Sequence, residues 1–193
     1  MSSYDHEFMF KDLQGKRLVG DLYRRFFLYP KLKKNITGKL VDIGAGLGDF
    51  CISYKNSVAL DINKYAVKHC QERLIESKLI LNNEIDYEDN TFDSAIMDNV
   101  LEHILEPRQL LSEVYRVLKS KGRFIVGVPG IKGYKSDFDH KVFYDDVKLI
   151  KLLDSHDFNL VKKFYTPFKS KFFNDNLKIY CLYCIFEKSR QGK

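Results

Sequence analysis

Three glycines in one short turn are the residues of this sequence with the clearest chemical meaning. Gly44, Gly46 and Gly48 follow the apolar run 40–43, which is interrupted by Asp42. Glycine adopts positive φ readily and has no Cβ, so such a turn lets the main chain approach a ligand closely. The pattern predicts a buried strand whose end contacts a nucleotide-like ligand.

A second carboxylate stands where a ribose would bind. Asp61 ends the apolar run 57–60 and lies nineteen residues after Asp42, about the spacing at which an acidic strand end meets a ribose in such folds. The alternative is that Asp61 caps a helix that begins near Asn63, since aspartate is a good N-cap residue. The glycine turn at the appropriate distance favours ribose binding.

Two of the five histidines have positions suited to removing a proton from a hydroxyl group. Histidine is the side chain best matched to proton transfer near neutral pH. His103 directly follows a fourth predicted strand, and His140 lies in the segment after a fifth. For His103 we favour a structural hydrogen bond to the loop backbone over catalysis. For His140 catalysis and a structural role are evenly balanced.

Four blocks between residues 39 and 129 resemble class I methyltransferases that use S-adenosylmethionine (SAM), in the branch that modifies quinones, sugars and other small molecules. These blocks are the turn 42–48, Asp61, the segment 90–103 with Pro107 after it, and the segment 118–129. The segment around His140 also resembles the family's H-x-x-x-F/Y motif. The resemblance implies SAM as the methyl donor and S-adenosylhomocysteine (SAH) as the product.

The resemblance also assigns the cofactor-binding residues. They are Asp42, Gly44, Ala45, Gly46, Asp61, Ile62, Asn82, Asn83, Asp98, Asn99 and Val100. Asn82 or Asn83 replaces the acidic residue with which family members commonly contact adenine, and which of the two does so is left open. The resemblance assigns no metal site.

The fold that the resemblance implies is α/β, with a doubly wound, mostly parallel sheet of seven strands and helices on both faces. The strand order is 3-2-1-4-5-7-6, with strand 7 antiparallel. We expect one methyltransferase domain over 1–193, made of an N-terminal helical cap at 1–38 and a Rossmann-like core at 39–193. The last predicted elements are a helix at 144–155, strand 6 at 157–165, a loop at 166–176 and strand 7 at 177–187.

Composition points to the cytoplasm. The sequence has no run of about 18 apolar residues and no signal-peptide pattern, and its four cysteines are scattered. Cys181 and Cys184 lie in a predicted strand, where their odd spacing places them on opposite faces. The net charge is +6, with the basic excess near both ends. Leu18, Leu22, Phe26 and Tyr29 recur at helical spacing, which favours an amphipathic helix with a solvated basic face over a nucleic-acid site.

The expected activity is SAM-dependent methyl transfer to a small-molecule or sugar-type acceptor, at oxygen. An anionic or sugar-linked acceptor would suit the basic ends of the chain, and we expect no tight nucleic-acid binding. Two alternatives stay open. One is an RNA or protein methyltransferase that uses the basic termini, and the other is a SAM-binding subunit without catalysis of its own.

We predict that the purified protein binds SAH but not NAD. A dinucleotide site has a third glycine three residues after the second, and here that position is Asp49. Isothermal titration calorimetry with each ligand measures the difference. NAD binding as tight as SAH binding would contradict the assignment of the glycine turn.

Overall fold

A single mixed sheet forms the centre of the protein. The computed structural model describes residues 7–8, 10–11 and 18–189. Its strands are β1 Leu40–Ile43, β2 Ser57–Asp61, β3 Ser77–Leu79, β4 Phe92–Asp98, β5 Leu118–Pro129, β6 Phe158–Thr166 and β7 Cys181–Lys188. Within the described residues the seven strands have the order β3-β2-β1-β4-β5-β7-β6. All pairs from β3 to β5 are parallel, and β7 is antiparallel to both neighbours, which confirms the predicted fold class.

Helices and turns connect the strands on both faces. The helices are α1 Leu18–Tyr23, α2 Tyr29–Lys33, α3 Asp49–Ser53, α4 Lys64–Glu72, α5 Arg108–Val117, α6 Ile131–Tyr134, α7 Asp146–Asp154 and α8 Lys171–Asn176. A π-helical turn, Arg24–Leu28, joins α1 to α2, and a 3-10 turn, Leu101–His103, follows β4. Among the described residues, none of these helices has the length and apolar character needed to cross a bilayer.

Two apolar layers cover the two faces of the sheet, because alternate side chains of a strand point in opposite directions. Val41 of β1 packs in the layer formed with α5 and α7, whereas its neighbour Leu40 packs in the layer that contains Leu32 of α2. The same alternation separates Cys184, in the first layer, from Cys181, in the second. The prediction that the two cysteines face opposite sides is therefore confirmed.

The N-terminal segment packs differently from the sequence prediction. Leu22 and Phe26 are 61% and 63% exposed, whereas Leu28 and Leu32 are buried. A π-helical turn changes the number of residues per turn, so residues at α-helical spacing no longer share one face. The predicted apolar stripe is therefore wrong at Leu22 and Phe26, whereas its last member, Tyr29, is buried and the side chain of Leu18 lies outside the described residues. Of the predicted cap, residues 1–6, 9 and 12–17 lie outside the described residues.

Helix α5 ends at Val117, because β5 begins at once at Leu118 and pairs with Phe92. Two later elements differ from prediction. The predicted loop 166–176 contains α8, whose N-cap Ser170 accepts a hydrogen bond from the backbone N–H of Phe173. Strand β7 begins at residue 181, four residues after the predicted start.

Asp42 is an acidic residue inside β1 and is 4% exposed. Its Oδ2 lies 3.6 Å from Sγ of Cys51 in α3, which donates to it from beneath the glycine turn. Burial, and after it the negative charge of Asp98, raises the pKa of Asp42 to about 7. The folded protein therefore keeps a proton on this carboxyl group over a pH range in which the unfolded chain releases it.

The wild-type protein should lose stability as the pH rises from about 4 to about 7. We expect the Asp42→Asn variant not to show this loss. The unfolded carboxyl ionises near its ordinary pKa and the folded one near pH 7, so the free energy of unfolding falls as pH rises through this window. One pKa unit corresponds to about 1.4 kcal/mol, which makes the expected difference between pH 5 and pH 8 about 2–3 kcal/mol. Urea denaturation at the two pH values measures it.

Asp93 provides the matched control, since its environment has the opposite effect. Hydrogen bonds from Nζ of Lys119 and the backbone N–H of Lys39, both at 2.8 Å, lower the pKa of Asp93. Its contribution to stability is therefore lost as pH falls, and Asp93→Asn should destabilise the protein at neutral pH. If Asp42→Asn and the wild type lose stability in parallel from pH 5 to pH 8, Asp42 is not protonated in the folded state.

Candidate functional site

The glycine turn after β1 is held in a conformation that larger residues would not tolerate. Gly44 and Gly48 have φ angles of +73° and +72°. The backbone N–H groups of Gly44 and Ala45 both donate to the carbonyl of Leu60 in β2, at 2.7 and 3.1 Å. A Cβ on Gly44 would lie 2.4 Å from Cγ2 of Val100, which follows β4. The turn is thus fixed between the ends of β2 and β4.

Asp61 connects the end of β2 to this turn. Its Oδ2 accepts a hydrogen bond from the backbone N–H of Gly46 and its Oδ1 accepts one from that of Asn63, both at 2.8 Å. The cap of α4 is Asn63, whose side chain accepts from the backbone N–H of Tyr65. The alternative in which Asp61 itself caps the helix is therefore wrong. Ile62, predicted beside it, is 51% exposed at the same edge.

The two asparagines predicted near adenine lie in a tight turn after β3. Asn82 and Asn83 both have positive φ, +52° and +59°, between the bridged residues Leu81 and Glu84. The carbonyl of Asn82 accepts a hydrogen bond from Nε2 of Gln109 at 2.9 Å. The Asn82 side chain is exposed and that of Asn83 is half-buried.

The end of β4 completes the edge. Oδ1 of Asp98 accepts hydrogen bonds from the Tyr183 hydroxyl at 2.7 Å and from Nδ2 of Asn99 at 3.0 Å. Asn99 has a φ of +56°, and its backbone N–H donates to the carbonyl of Gly127 in β5. Sequence reasoning missed Tyr183, because it arrives from β7 at the opposite end of the chain.

The carboxylates at this edge produce a negative electrostatic field. Asp98 and Asp61 both raise the pKa of Asp42, which means that the three groups lie close enough to repel one another. Burial lowers the pKa of Arg24, but the negative groups around it, Asp98 first among them, together outweigh this effect and the pKa is raised. Arg24, in the N-terminal segment, therefore faces the same edge. The carboxylates of Asp61 and Asp98 can accept hydrogen bonds from a ribose and attract cationic groups such as the sulfonium and ammonium of SAM.

A second group of ionisable side chains lies beyond β4. Glu102, in the 3-10 turn, is 1% exposed, and neither of its carboxylate oxygens has a hydrogen-bond partner among the described residues. Burial is the main cause that raises the pKa of Glu102 to about 8, and the negative charges of Asp98 and Asp137 add to it. A buried carboxyl with no partner is costly, so its retention at this position indicates a function.

Both predicted histidines join Glu102 in this cluster. The ring centroids of His103 and His140 are 4.6 Å apart, and Nε2 of His140 lies 3.8 Å from Oε1 of Glu102. Nδ1 of His140 bonds to the carbonyl of Tyr134 at 2.8 Å, and Nδ1 of His103 bonds to Oδ2 of Asp139 at 3.1 Å. Each Nδ1 must be the donor in these bonds, because a carbonyl and a carboxylate only accept.

Backbone hydrogen bonds explain why His103 and His140, 37 positions apart, come together. The N–H groups of Lys141 and Val142 donate to the carbonyl of Glu102, at 2.7 and 3.0 Å. They anchor the segment after α6 against the 3-10 turn and so place His140 beside His103. Sequence reasoning missed Glu102 and Asp139, although an acidic residue directly precedes each histidine.

Comparisons with known proteins identify similar chains. Residues 41–126 match a family described as a methyltransferase domain. The chain is 28% identical over 150 residues to an uncharacterized protein of Methanocaldococcus jannaschii, with 72% of this chain and 73% of that protein covered. It is also 28% identical to the ubiquinone/menaquinone biosynthesis C-methyltransferase UbiE of Rickettsia akari, over 47% of this chain and 44% of that enzyme. The match therefore spans less than half of that enzyme's length.

Solved structures share the fold at low sequence identity. A SAM-dependent methyltransferase of Methanosarcina mazei has a TM-score of 0.66 at 19% identity, covering 84% of this chain and 99% of its own. The Haloferax volcanii protein solved with the Trm112 methyltransferase activator has a TM-score of 0.79 at 12% identity, with both chains fully covered. The matching domain and the geometry of the glycine turn support a class I, Rossmann-like methyltransferase with SAM as methyl donor, and the solved structures show the same fold.

Proposed function

We propose that the protein transfers a methyl group from SAM to a small-molecule acceptor that carries an ionisable hydroxyl group, with the hydroxyl oxygen as the methylated atom. The observation that carries this proposal is the cluster of Glu102, His103 and His140, which follows β4 directly after the residues proposed to hold the donor. Acidic and basic side chains at this position suit the removal of a hydroxyl proton, which oxygen methylation requires.

Residues at the ends of β1, β2, β3 and β4 bind the donor, SAM, in this proposal. Asp61 accepts hydrogen bonds from the ribose hydroxyls, and Asn82 or Asn83 contacts adenine at the neighbouring strand end. Asp98 provides the negative field for the cationic end, and Asp42 adds to it once it ionises near pH 7. Gly44 and Gly46 leave room for the ligand against the main chain. Ala45, Ile62, Asn99 and Val100 complete the walls. When bound there, SAM supplies an electrophilic methyl group.

The acceptor side needs a group that takes a proton. His103 is held through Nδ1 by Asp139, so its Nε2 is available as a base, in the way that a carboxylate orients the base of a catalytic triad. The His103 side chain is 30% exposed, whereas that of His140 is 9% exposed and faces Glu102. His103 is therefore the more accessible base, and His140 and Glu102 support it from the buried side.

Carbon is the second candidate for the methylated atom, because the UbiE relatives are named as C-methyltransferases. A phenol that loses its hydroxyl proton becomes nucleophilic at ring carbons as well as at oxygen, so the same cluster would serve both reactions. Nuclear magnetic resonance of the methylated product separates the two, since an O-methyl and a C-methyl group have different carbon shifts.

We expect Asp61→Ala to weaken SAH binding by about 1.5–3 kcal/mol, the cost of losing hydrogen bonds to a charged group. Calorimetry measures the dissociation constant, and Asp175→Ala, which removes an exposed carboxylate on α8, is the control. Because Asp61 also accepts from Gly46 and Asn63, thermal unfolding of the ligand-free variant is measured in parallel. Unchanged SAH affinity in a folded variant would remove Asp61 from the proposed ribose site.

We expect His103→Ala to lower kcat by about 10²–10⁴, because general-base catalysis contributes a factor of that size. His140→Ala should lower kcat less, and SAH affinity should stay within about twofold of the wild type in both variants. His156→Ala is the matched control, since that ring lies at the end of α7 and bonds to the carbonyl of Leu152. The assay uses a panel of phenols and hydroxylated small molecules. Full turnover in both variants would mean that neither histidine removes the proton. An amine or an already ionised acceptor would then be favoured.

A further inference from the structure

We infer that Glu102, His103 and His140 form a binding site for a divalent transition-metal ion. One ligand atom from each of the three side chains lies within 4.8 Å of the others. Two imidazoles and one carboxylate are a donor set that proteins use for zinc and for non-haem iron. The ligands come from a 3-10 turn and from a segment 37 residues later, so no short sequence motif reveals them.

The state of Glu102 is the first observation that points to a cation. Its side chain is 1% exposed, and among the described residues neither of its oxygens has a hydrogen-bond partner. Buried polar groups in native proteins nearly always have a partner, so an unpartnered carboxylate requires an explanation. A metal ion coordinated by Glu102 supplies the missing partner and the positive charge together.

The orientation of the two histidines is the second observation. A metal-binding histidine commonly donates its other ring N–H to a backbone carbonyl or a carboxylate, which fixes the tautomer and the ring position. His140 makes such a bond to the carbonyl of Tyr134 and His103 makes one to Asp139. Both rings therefore have Nε2 available to coordinate an ion, and Asp139 acts as a positioning residue for His103.

The spacing of the donor atoms is close to what an ion requires. In a tetrahedral shell with bonds of about 2.1 Å, neighbouring donor atoms lie about 3.4 Å apart. Nε2 of His140 and Oε1 of Glu102 are 3.8 Å apart, so small side-chain rotations bring them to coordination distance. The imidazole donors favour transition ions such as Zn²⁺, Fe²⁺ or Ni²⁺ over Mg²⁺ and Ca²⁺, which prefer oxygen ligands.

Three protein ligands leave at least one coordination position open. An acceptor hydroxyl bound there would have its pKa lowered by the ion, as happens for metal-bound water. The O–H bond breaks, its electron pair stays on the oxygen, and the proton passes to bulk water. This activating role rests on the proposed acceptor hydroxyl and replaces proton transfer to His103 whenever the ion is bound, because Nε2 of His103 is then a ligand. Metal binding itself does not depend on the proposed function.

Cobalt(II) titration tests the site without an acceptor. The full chain is dialysed against a chelator, and Co²⁺ binding is followed by visible absorption and by equilibrium dialysis. We expect one equivalent to bind, with an absorption spectrum that indicates nitrogen ligands. Glu102→Gln, His103→Gln and His140→Gln should each weaken binding at least tenfold, and Asp139→Asn should weaken it less. His156→Gln, whose ring lies outside the cluster, should bind as the wild type does.

Glu102→Gln is the decisive variant, because glutamine resembles the protonated acid that burial favours and so leaves the packing intact. SAH binding and thermal unfolding of each variant show whether its fold is retained. Absence of Co²⁺ binding up to millimolar concentration, or binding that is unchanged in Glu102→Gln, would overturn the metal site. Failure to bind SAH would instead overturn the proposed function, so the two failures are distinguishable.

Discussion

The contact between Val100 and Gly44 is the constraint on which the site depends. The chain leaves β1 through the glycine turn and leaves β4 through Asn99 and Val100, and these two exits meet where the strand order reverses. The side chain of Val100 fills the space that a Cβ on Gly44 would occupy, at 2.4 Å. Glycine at this position therefore brings the β1 and β4 exits together, and with them the carboxylates proposed to face the donor.

Negative charge is concentrated at this edge at a cost to stability. Asp42 is buried in β1, where Asp98 and Asp61 repel it. Native proteins retain such unfavourable groups chiefly at functional sites, where a ligand of opposite charge offsets the repulsion. The same logic applies to Glu102, which is buried without a hydrogen-bond partner among the described residues. The two buried acids lie one on the proposed donor side and one on the proposed acceptor side.

Sequence and family resemblance predicted the features that depend on local pattern. The glycine turn, Asp61 and the strand order could all be predicted because each is set by residues adjacent in sequence or by the fold that they imply. The exposure of Leu22 and Phe26 could not be predicted, because a π-helical turn changes which residues share one helix face. Helix propensity does not reveal such a turn. Tyr183 and the partners of Glu102 also required the structure, since tertiary packing alone brings them together.

The backbone N–H groups of Lys141 and Val142 donate to the Glu102 carbonyl, and this anchor lies where the proposed donor side of the site meets the proposed acceptor side. Residues on the donor side come from β1 to β4, whereas the acceptor side is completed by an irregular segment that returns to one anchoring carbonyl. That segment can change in sequence without disturbing the strands, provided that it keeps this anchor. Substrate preference in such a protein can therefore evolve, or be engineered, by exchanging one loop on a constant donor platform.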